Sequence, residues 1–263
     1  MPIVNISLAQ FAVKAGDPRT NWTTVQELTA EAERRGSEII VLPELWENGY
    51  ALDRAKEVAS TLSTGLFAQV AALARNSNIF IFGSMLEKRG VGVYNSTAVF
   101  SPRQGVLGAY RKIHLFAPLN EPAYISPGEA PLTVDLPWGR TSFAICYDLR
   151  FPELFRRYSS EGTKVLILPA EWPHPRLNHW RTLLQARAIE NQMYIIACNR
   201  VGESLDTTFC GHSMIVDPWG DILIEAGEDE TMLTLKIDTD KVDEVRARLP
   251  VLGDRRQGVY GNY

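Results

Sequence analysis

What most constrains this chain is a series of short, wholly apolar segments that alternate with stretches of helical spacing. Ile39-Ile40-Val41-Leu42, Ile79-Phe80-Ile81-Phe82, Phe143-Ala144-Ile145 and Val165-Leu166-Ile167-Leu168 are too short for helices and do not alternate with polar residues. Such runs are strands buried on both faces. Between them, residues 21–35 set Trp22, Val25, Leu28 and Ala32 on one helical face, and residues 64–76 do the same with Phe67, Val70, Ala71 and Ala74. Residues 178–191 repeat the pattern through Trp180, Leu183, Leu184 and Ala188, and Pro152 suits the first turn of a helix over 152–161. Further strands are predicted at 3–9, 94–100, 106–111, 194–198, 211–216, 222–226 and 232–237, with a last helix at 239–248. The turn at 101–105 separates two strands in direct succession.

This alternation predicts an α/β chain, and no repeat, low-complexity stretch or linker divides it, so residues 1–263 are expected to form a single domain. With 45% hydrophobic and 22% charged residues the chain has the means to fill a large core. A net charge of −4, with both signs interleaved, offers no basic stripe for nucleic acid. No segment approaches the length of a membrane span, the longest apolar run lying within residues 164–170. The first residues lack the basic start of a secretory signal. Three cysteines (Cys146, Cys198 and Cys210) give an odd count without framework spacing, as reduced thiols in the cytoplasm would.

Three reactive residues stand where predicted strands end. Glu44 follows Leu42-Pro43, Lys112 follows the strand over 106–111, and Cys146 follows Ile145. Ligands of open α/β sheets bind beyond strand C-termini, and a carboxylate, an ammonium and a thiol gathered there make an acyl-transfer site. Taken singly, each has a plainer reading. The cysteine would be a small core residue, the glutamate a cap and the lysine a solvated strand end. A Pro-rich connection over 114–130 is too long for a turn and marks a functional loop. His174 and His179 stand five apart across Pro175, which breaks the helix that a two-histidine zinc site needs. Gly211-His212-Ser213 lacks the glycine that a nucleophile elbow requires after its serine. No metal site is expected from these spacings.

Three ordered blocks sharpen the reading: Val41-Leu42-Pro43-Glu44, Tyr110-Arg111-Lys112-Ile113-His114-Leu115-Phe116 and Cys146-Tyr147-Asp148-Leu149-Arg150-Phe151-Pro152-Glu153. They resemble the signature blocks of the nitrilase superfamily, the carbon–nitrogen hydrolases. The likeness continues through Ala186-Arg187-Ala188-Ile189-Glu190-Asn191-Gln192 and Asp217-Pro218-Trp219-Gly220 and so spans nearly the whole chain. It implies a four-layer α-β-β-α sandwich, a homodimer or larger assembly, and no cofactor. It further implies Cys146 as nucleophile, Glu44 as general base, Lys112 as oxyanion stabiliser and Glu121 as a second glutamate that positions Lys112 and the substrate.

Within the superfamily, the stretch from Cys146 to Arg150, with His179-Trp180 and residues 186–192, looks most like the omega-amidase branch, which hydrolyses 2-oxo dicarboxylic acid monoamides. Tyr147, Arg150, Glu171 and Trp172 are the candidates for substrate binding. Glu171 departs from the family pattern, where a more neutral residue is common, and a charge there would oppose an anionic substrate. Other amidase branches, acting on N-carbamoyl amino acids or deaminated glutathione, are alternatives, as is a true nitrilase. A non-catalytic binding module on the same fold is the alternative outside enzymes. The tail over 250–263 carries Val251, Leu252, Val259, Tyr260 and Tyr263, and these apolar residues are expected to bury in a subunit interface.

Overall fold

A computed structural model describes residues 3–204 and 206–260. Its first half runs β1 (Ile3–Gln10), α1 (Pro18–Arg34), β2 (Ile39–Val41), α2 (Gly65–Ser77), β3 (Phe80–Phe82), β4 (Ser84–Arg89), β5 (Gly92–Ser101) and β6 (Gly105–Arg111). The second half continues with β7 (Thr133–Leu136), β8 (Gly139–Phe143), α3 (Pro152–Ser160), β9 (Val165–Ala170), α4 (Leu177–Asn191) and β10 (Tyr194–Asn199). A hairpin follows, β11 (Val201–Ser204) and β12 (Thr207–Cys210), and then β13 (Met214–Val216), β14 (Ile222–Glu225), β15 (Thr231–Asp238) and α5 (Lys241–Arg248).

Two sheets carry the architecture. One has the order β15-β1-β2-β3-β5-β4 with β6 added on β5, and the other β14-β13-β10-β9-β8-β7. Within the first, β1, β2 and β3 run parallel, and β8, β9 and β10 do so in the second. The apolar runs sort their side chains by alternation. Ile39, Val41, Phe82 and Val99 join the core shared with β8, β9 and β10. Ile40, Ile81, Ala98 and Phe100 face the other way, onto Val25 and Ala32 of α1 and Phe67, Val70 and Ala74 of α2. Leu154, Phe155 and Tyr158 of α3 and Trp180, Leu184 and Ala188 of α4 cover the second sheet. The result is the α-β-β-α sandwich expected from the sequence. Polar ties cross between the sheets: the Tyr194 hydroxyl donates to the carbonyl of Asp238 (3.0 Å), and Ser213 donates to Gln10 through both its backbone N–H (2.9 Å) and its hydroxyl (2.8 Å).

The helix predicted from residue 21 starts earlier because Asp17 accepts a hydrogen bond from the Thr20 N–H (3.1 Å) and Pro18 fills the first helical position. The apolar run Phe143-Ala144-Ile145 outlasts its strand, which stops at Phe143, and Cys146 opens a separate short turn, Cys146–Arg150. Inside the long connection after β6 lie two short helical pieces, Ala117–Leu119 and Glu121–Tyr124. Leu252 of the tail is half-buried and Val259 exposed, whereas Tyr263 and the side chain of Tyr260 lie outside the described residues. Among the described residues no helix is long and apolar enough to cross a membrane.

Candidate active site

The ends of the two sheets meet at one point. Three residues past β2, the backbone N–H of Glu44 donates to the carbonyl of Ala170 at the end of β9 (3.4 Å), and the Glu171 N–H returns to Glu44 Oε2 (2.9 Å). Lys112 leaves β6 into this junction, its own N–H bonded to the Asn95 carbonyl on β5 (2.9 Å). The Lys112 ammonium lies 2.8 Å from Glu44 Oε1 and 2.6 Å from Glu121 Oε1, and all three side chains are fully buried. Asn95 Nδ2 donates to Glu44 Oε1 (2.8 Å), the Tyr50 hydroxyl to Glu121 Oε1 (2.7 Å) and the Phe116 N–H to Glu121 Oε2 (2.7 Å). Each carboxylate is therefore held by several donors, which a buried charge requires.

Cys146 sits beside this set in a left-handed backbone conformation, φ 44°. A side chain disfavours that region by about 1 kcal/mol or more, so the turn needs outside support. Asp148 provides it: one carboxylate oxygen accepts from the Ile145 N–H (2.9 Å) and the Tyr110 hydroxyl (2.7 Å), the other from the His114 N–H (3.0 Å). His114 also contacts that second oxygen through Nδ1 (2.8 Å) and stacks on Phe151 (3.6 Å between centroids). The sequence reading gave Asp148 no such role.

The electrostatics follow from burial in company. Burial opposes the Lys112 ammonium, but Glu121, Glu44 and Cys146 outweigh it and hold its pKa well above the usual lysine range. Burial and the Glu44 carboxylate push the Cys146 thiol up, while Lys112 pulls it down. At rest the sulfur is thus a thiol facing a carboxylate that can take its proton. Burial raises the Glu121 carboxyl as well, against the pull of Lys112.

Beside the cysteine lies a narrow pocket. Tyr50, Phe116, Tyr147 and Trp172 give it aromatic walls, and Glu171, Arg150 and Arg176 supply its charge. Of the residues singled out in the sequence, Cys146, Tyr147, Arg150, Glu171 and Trp172 line it, and Glu44, Lys112 and Glu121 form a buried cluster beside Cys146. The charge of Glu171 does not stand free, for Arg200 Nη1 pairs with it at 3.2 Å and both side chains are fully buried. The objection that Glu171 would repel an anionic substrate is therefore met within the protein. Arg176, Tyr50, Asn95 and Arg200 were not found from sequence. They come from loops or mid-strand positions with no motif of their own. A larger cleft of about 530 Å³, lined by Phe80, Arg103 and Trp138, includes none of these groups.

Other candidates fall into structural positions. His174 contacts Glu228 (3.1 Å) and His179 contacts Arg150 (3.3 Å). Among the described residues no three His, Cys, Asp or Glu side chains group as a metal site would need. Ser213 is buried, its hydroxyl bonded to Gln10 and to the Asn199 carbonyl (3.1 Å). Cys198 and Cys210 are unpaired and buried, and burial pushes each thiol up to about 12.

Known proteins resemble this chain over nearly its whole length. A 2-oxoglutaramate amidase of Bacillus subtilis is 38% identical over 256 residues, covering 97% of this chain and 98% of its own. An omega-amidase of Mus musculus is 32% identical, covering 91% of each chain. Among solved structures, a CN-hydrolase superfamily protein of Xanthomonas campestris with an arsenic adduct in its active site superposes with a TM-score of 0.91 at 30% identity, covering 97% of this chain and 98% of that one. An amidase of Nesterenkonia sp. AN1, solved as a glutamate-to-glutamine mutant with the acetamide moiety of fluoroacetamide added covalently at its active-site cysteine, gives 0.85 at 25% identity, covering 98% and 95%. Residues 5–247 match the family model described as carbon-nitrogen hydrolase, and this chain belongs to that family.

Proposed function

We propose that this enzyme releases ammonia from the terminal amide of a 2-oxo dicarboxylic acid monoamide through a thioester on Cys146. One observation carries the reading. The pocket is lined by the Cys146 thiol, with the buried Glu44 carboxylate and Lys112 ammonium beside that thiol, and by two guanidiniums, Arg150 and Arg176. Among the described residues neither guanidinium has a carboxylate partner: Arg150 rests on the Trp172 ring (4.8 Å) and Arg176 on the Phe116 ring (5.5 Å). The Arg150 pKa is lowered, by burial first and by Arg176 next, so the pair repels itself until an anion arrives. A substrate with a carboxamide at one end and a carboxylate at the other fits both ends. The names of the Bacillus and mouse relatives point to the same acyl group.

The steps use groups already in contact. Glu44 takes the Cys146 proton as sulfur attacks the amide carbon, and the oxyanion forms against the Lys112 ammonium and the Tyr147 N–H. The C–N bond breaks as Glu44 returns that proton to nitrogen, and ammonia leaves. Glu44 then takes a proton from water, which attacks the thioester, and the departing sulfur recovers it as a thiol. Glu121 fixes the Lys112 ammonium throughout. We read residues 1–263 as one catalytic domain, a reading supported by the pairing of β1 with β15. The unpaired cysteines support a reducing cytoplasm, and the exposed apolar surface formed by Ile189, Trp219, Leu249 and Val251 supports a homodimer.

The test is an ammonia-release screen over omega-amides, N-carbamoyl amino acids and short aliphatic amides. The omega-amide should lead a matched amide lacking the carboxylate by on the order of 100-fold in kcat/KM, and Arg176→Gln should remove about 10-fold or more of that lead. Equal turnover of the two amides would refute the substrate assignment and leave a general aliphatic amidase.

A further inference from the structure

Glu171 is fixed at two points and unsatisfied at a third. Its Oε2 faces Arg200, whose guanidinium is itself bonded to the carbonyls of Val13 (2.6 Å) and Val201 (3.2 Å) and lies 4.3 Å from the Phe209 ring centre. Its backbone N–H holds Glu44. Its Oε1 is buried, in a residue that lines the pocket containing Cys146, and has no hydrogen-bond partner among the described residues. A buried acceptor without a donor is costly, and native structures seldom keep one without a use. Burial and the nearby Glu44 also push the Glu171 carboxyl up to about 8, against the pull of Arg200, so a donor at Oε1 is what would hold it ionised at neutral pH.

We propose that Glu171 Oε1 accepts a hydrogen bond from an N–H of the scissile carboxamide and so makes the site selective for primary amides over esters and nitriles, which carry no such donor. This rests on the reading of Cys146 as the nucleophile. The contact also orients the leaving nitrogen. Glu171 and Glu44 are joined through the Glu171 N–H, so a nitrogen held by Oε1 keeps its lone pair free for the proton that Glu44 returns. Glu171 transfers no proton.

The comparison is between an amide and the methyl ester of the same acyl group, measured in wild type, Glu171→Gln and Glu171→Ala. Arg200 can only donate, so a glutamine at 171 turns its oxygen toward Arg200 and its NH₂ toward the substrate, donor against donor. Both variants should lose on the order of 10- to 100-fold in kcat/KM for the amide and about 3-fold or less for the ester. A parallel fall of amide and ester would reduce Glu171 to a structural support, and an unchanged amide rate would remove the contact. Should both variants fail to fold, binding to Cys146→Ala decides: the amide should bind about 10-fold more tightly than the ester, and equal binding overturns the proposal. If the omega-amide proves inactive, only the substrate assignment falls, and the same ratio is measured with the best primary amide of the screen.

Discussion

Lys112 is a residue that no neutral side chain replaces without cost. Its ammonium is the counter-charge shared by Glu44 and Glu121 in a site closed to water. We predict that Lys112→Met lowers kcat by about 10²–10³ and also destabilises the fold by about 3–5 kcal/mol, because two buried carboxylates lose their common partner. Cys146→Ala should behave in the opposite way, with no measurable ammonia release and a melting temperature close to wild type, since a methyl removes the nucleophile and buries no charge. Ammonia assays paired with thermal melts separate the two, and a Cys146→Ala protein within tenfold of wild-type turnover would end the nucleophile assignment. At this scale the sequence was informative where chemistry follows directly on an apolar run, as it does at Glu44, Lys112 and Cys146. Glu121 needed the family resemblance. Asn95 and Arg200 were invisible for a physical reason. Each is an ordinary polar residue in a strand or just past one, and only the packing of sheet against sheet brings it to a carboxylate.

Between residue and molecule, the turn after β2 holds a second buried carboxyl. Glu47 accepts a hydrogen bond from the Leu86 N–H (2.5 Å) and thereby clamps that turn to β4, while its other oxygen has no partner. Burial raises its pKa from 4.5 to about 7. The folded protein thus keeps a proton that the unfolded chain gives up, so this group's contribution falls as pH rises from about 4.5 through about 7 and is level above that. Glu47→Gln keeps the acceptor and discards the titration. We predict that the variant gains on wild type by about 3 kcal/mol between pH 4 and pH 8 in urea unfolding. Parallel stability profiles for the two proteins would show that Glu47 does not titrate in this window. The strand β4 to which it is clamped escaped the sequence reading, as did β7, β11 and β12. β4 starts directly after Gly83 and ends in Glu87-Lys88-Arg89, so neither a continuous apolar run nor a clean alternation marks it. β7 is four residues between Pro131 and Pro137, which reads as turn. The parallel strands were legible because burial on both faces demands uninterrupted apolar sequence, and short antiparallel hairpins carry no such demand.

At the scale of the molecule, four apolar side chains stand exposed on one surface. Ile189 on α4, Trp219 in the turn between β13 and β14, and Leu249 and Val251 after α5 line a common cleft, with exposures of 53%, 44%, 47% and 36%. Large apolar side chains exposed singly need no explanation, but four on one surface from three distant parts of the chain mark a contact site. The tail was readable as apolar, whereas its partners on α4 and the β13–β14 turn were not, because nothing in the sequence brings residues 189, 219 and 251 together. A second copy of the chain is the occupant that the family resemblance implies. Ile189 suits a test because its side chain points outward while Trp180, Leu184 and Ala188 of the same helix hold the core. We predict that wild type scatters light as a dimer at micromolar concentration and that Ile189→Asp does so as a monomer with an unchanged far-UV spectrum. A buried, unpaired charge costs several kcal/mol at each of two symmetric positions, enough to move dissociation from below micromolar to well above it. Val91→Asp is the control, since Val91 is a fully exposed apolar residue at the β4–β5 turn, outside the cleft, and should leave the dimer intact. A monomeric wild type, or an Ile189→Asp protein that still dimerises, would exclude this surface as the interface.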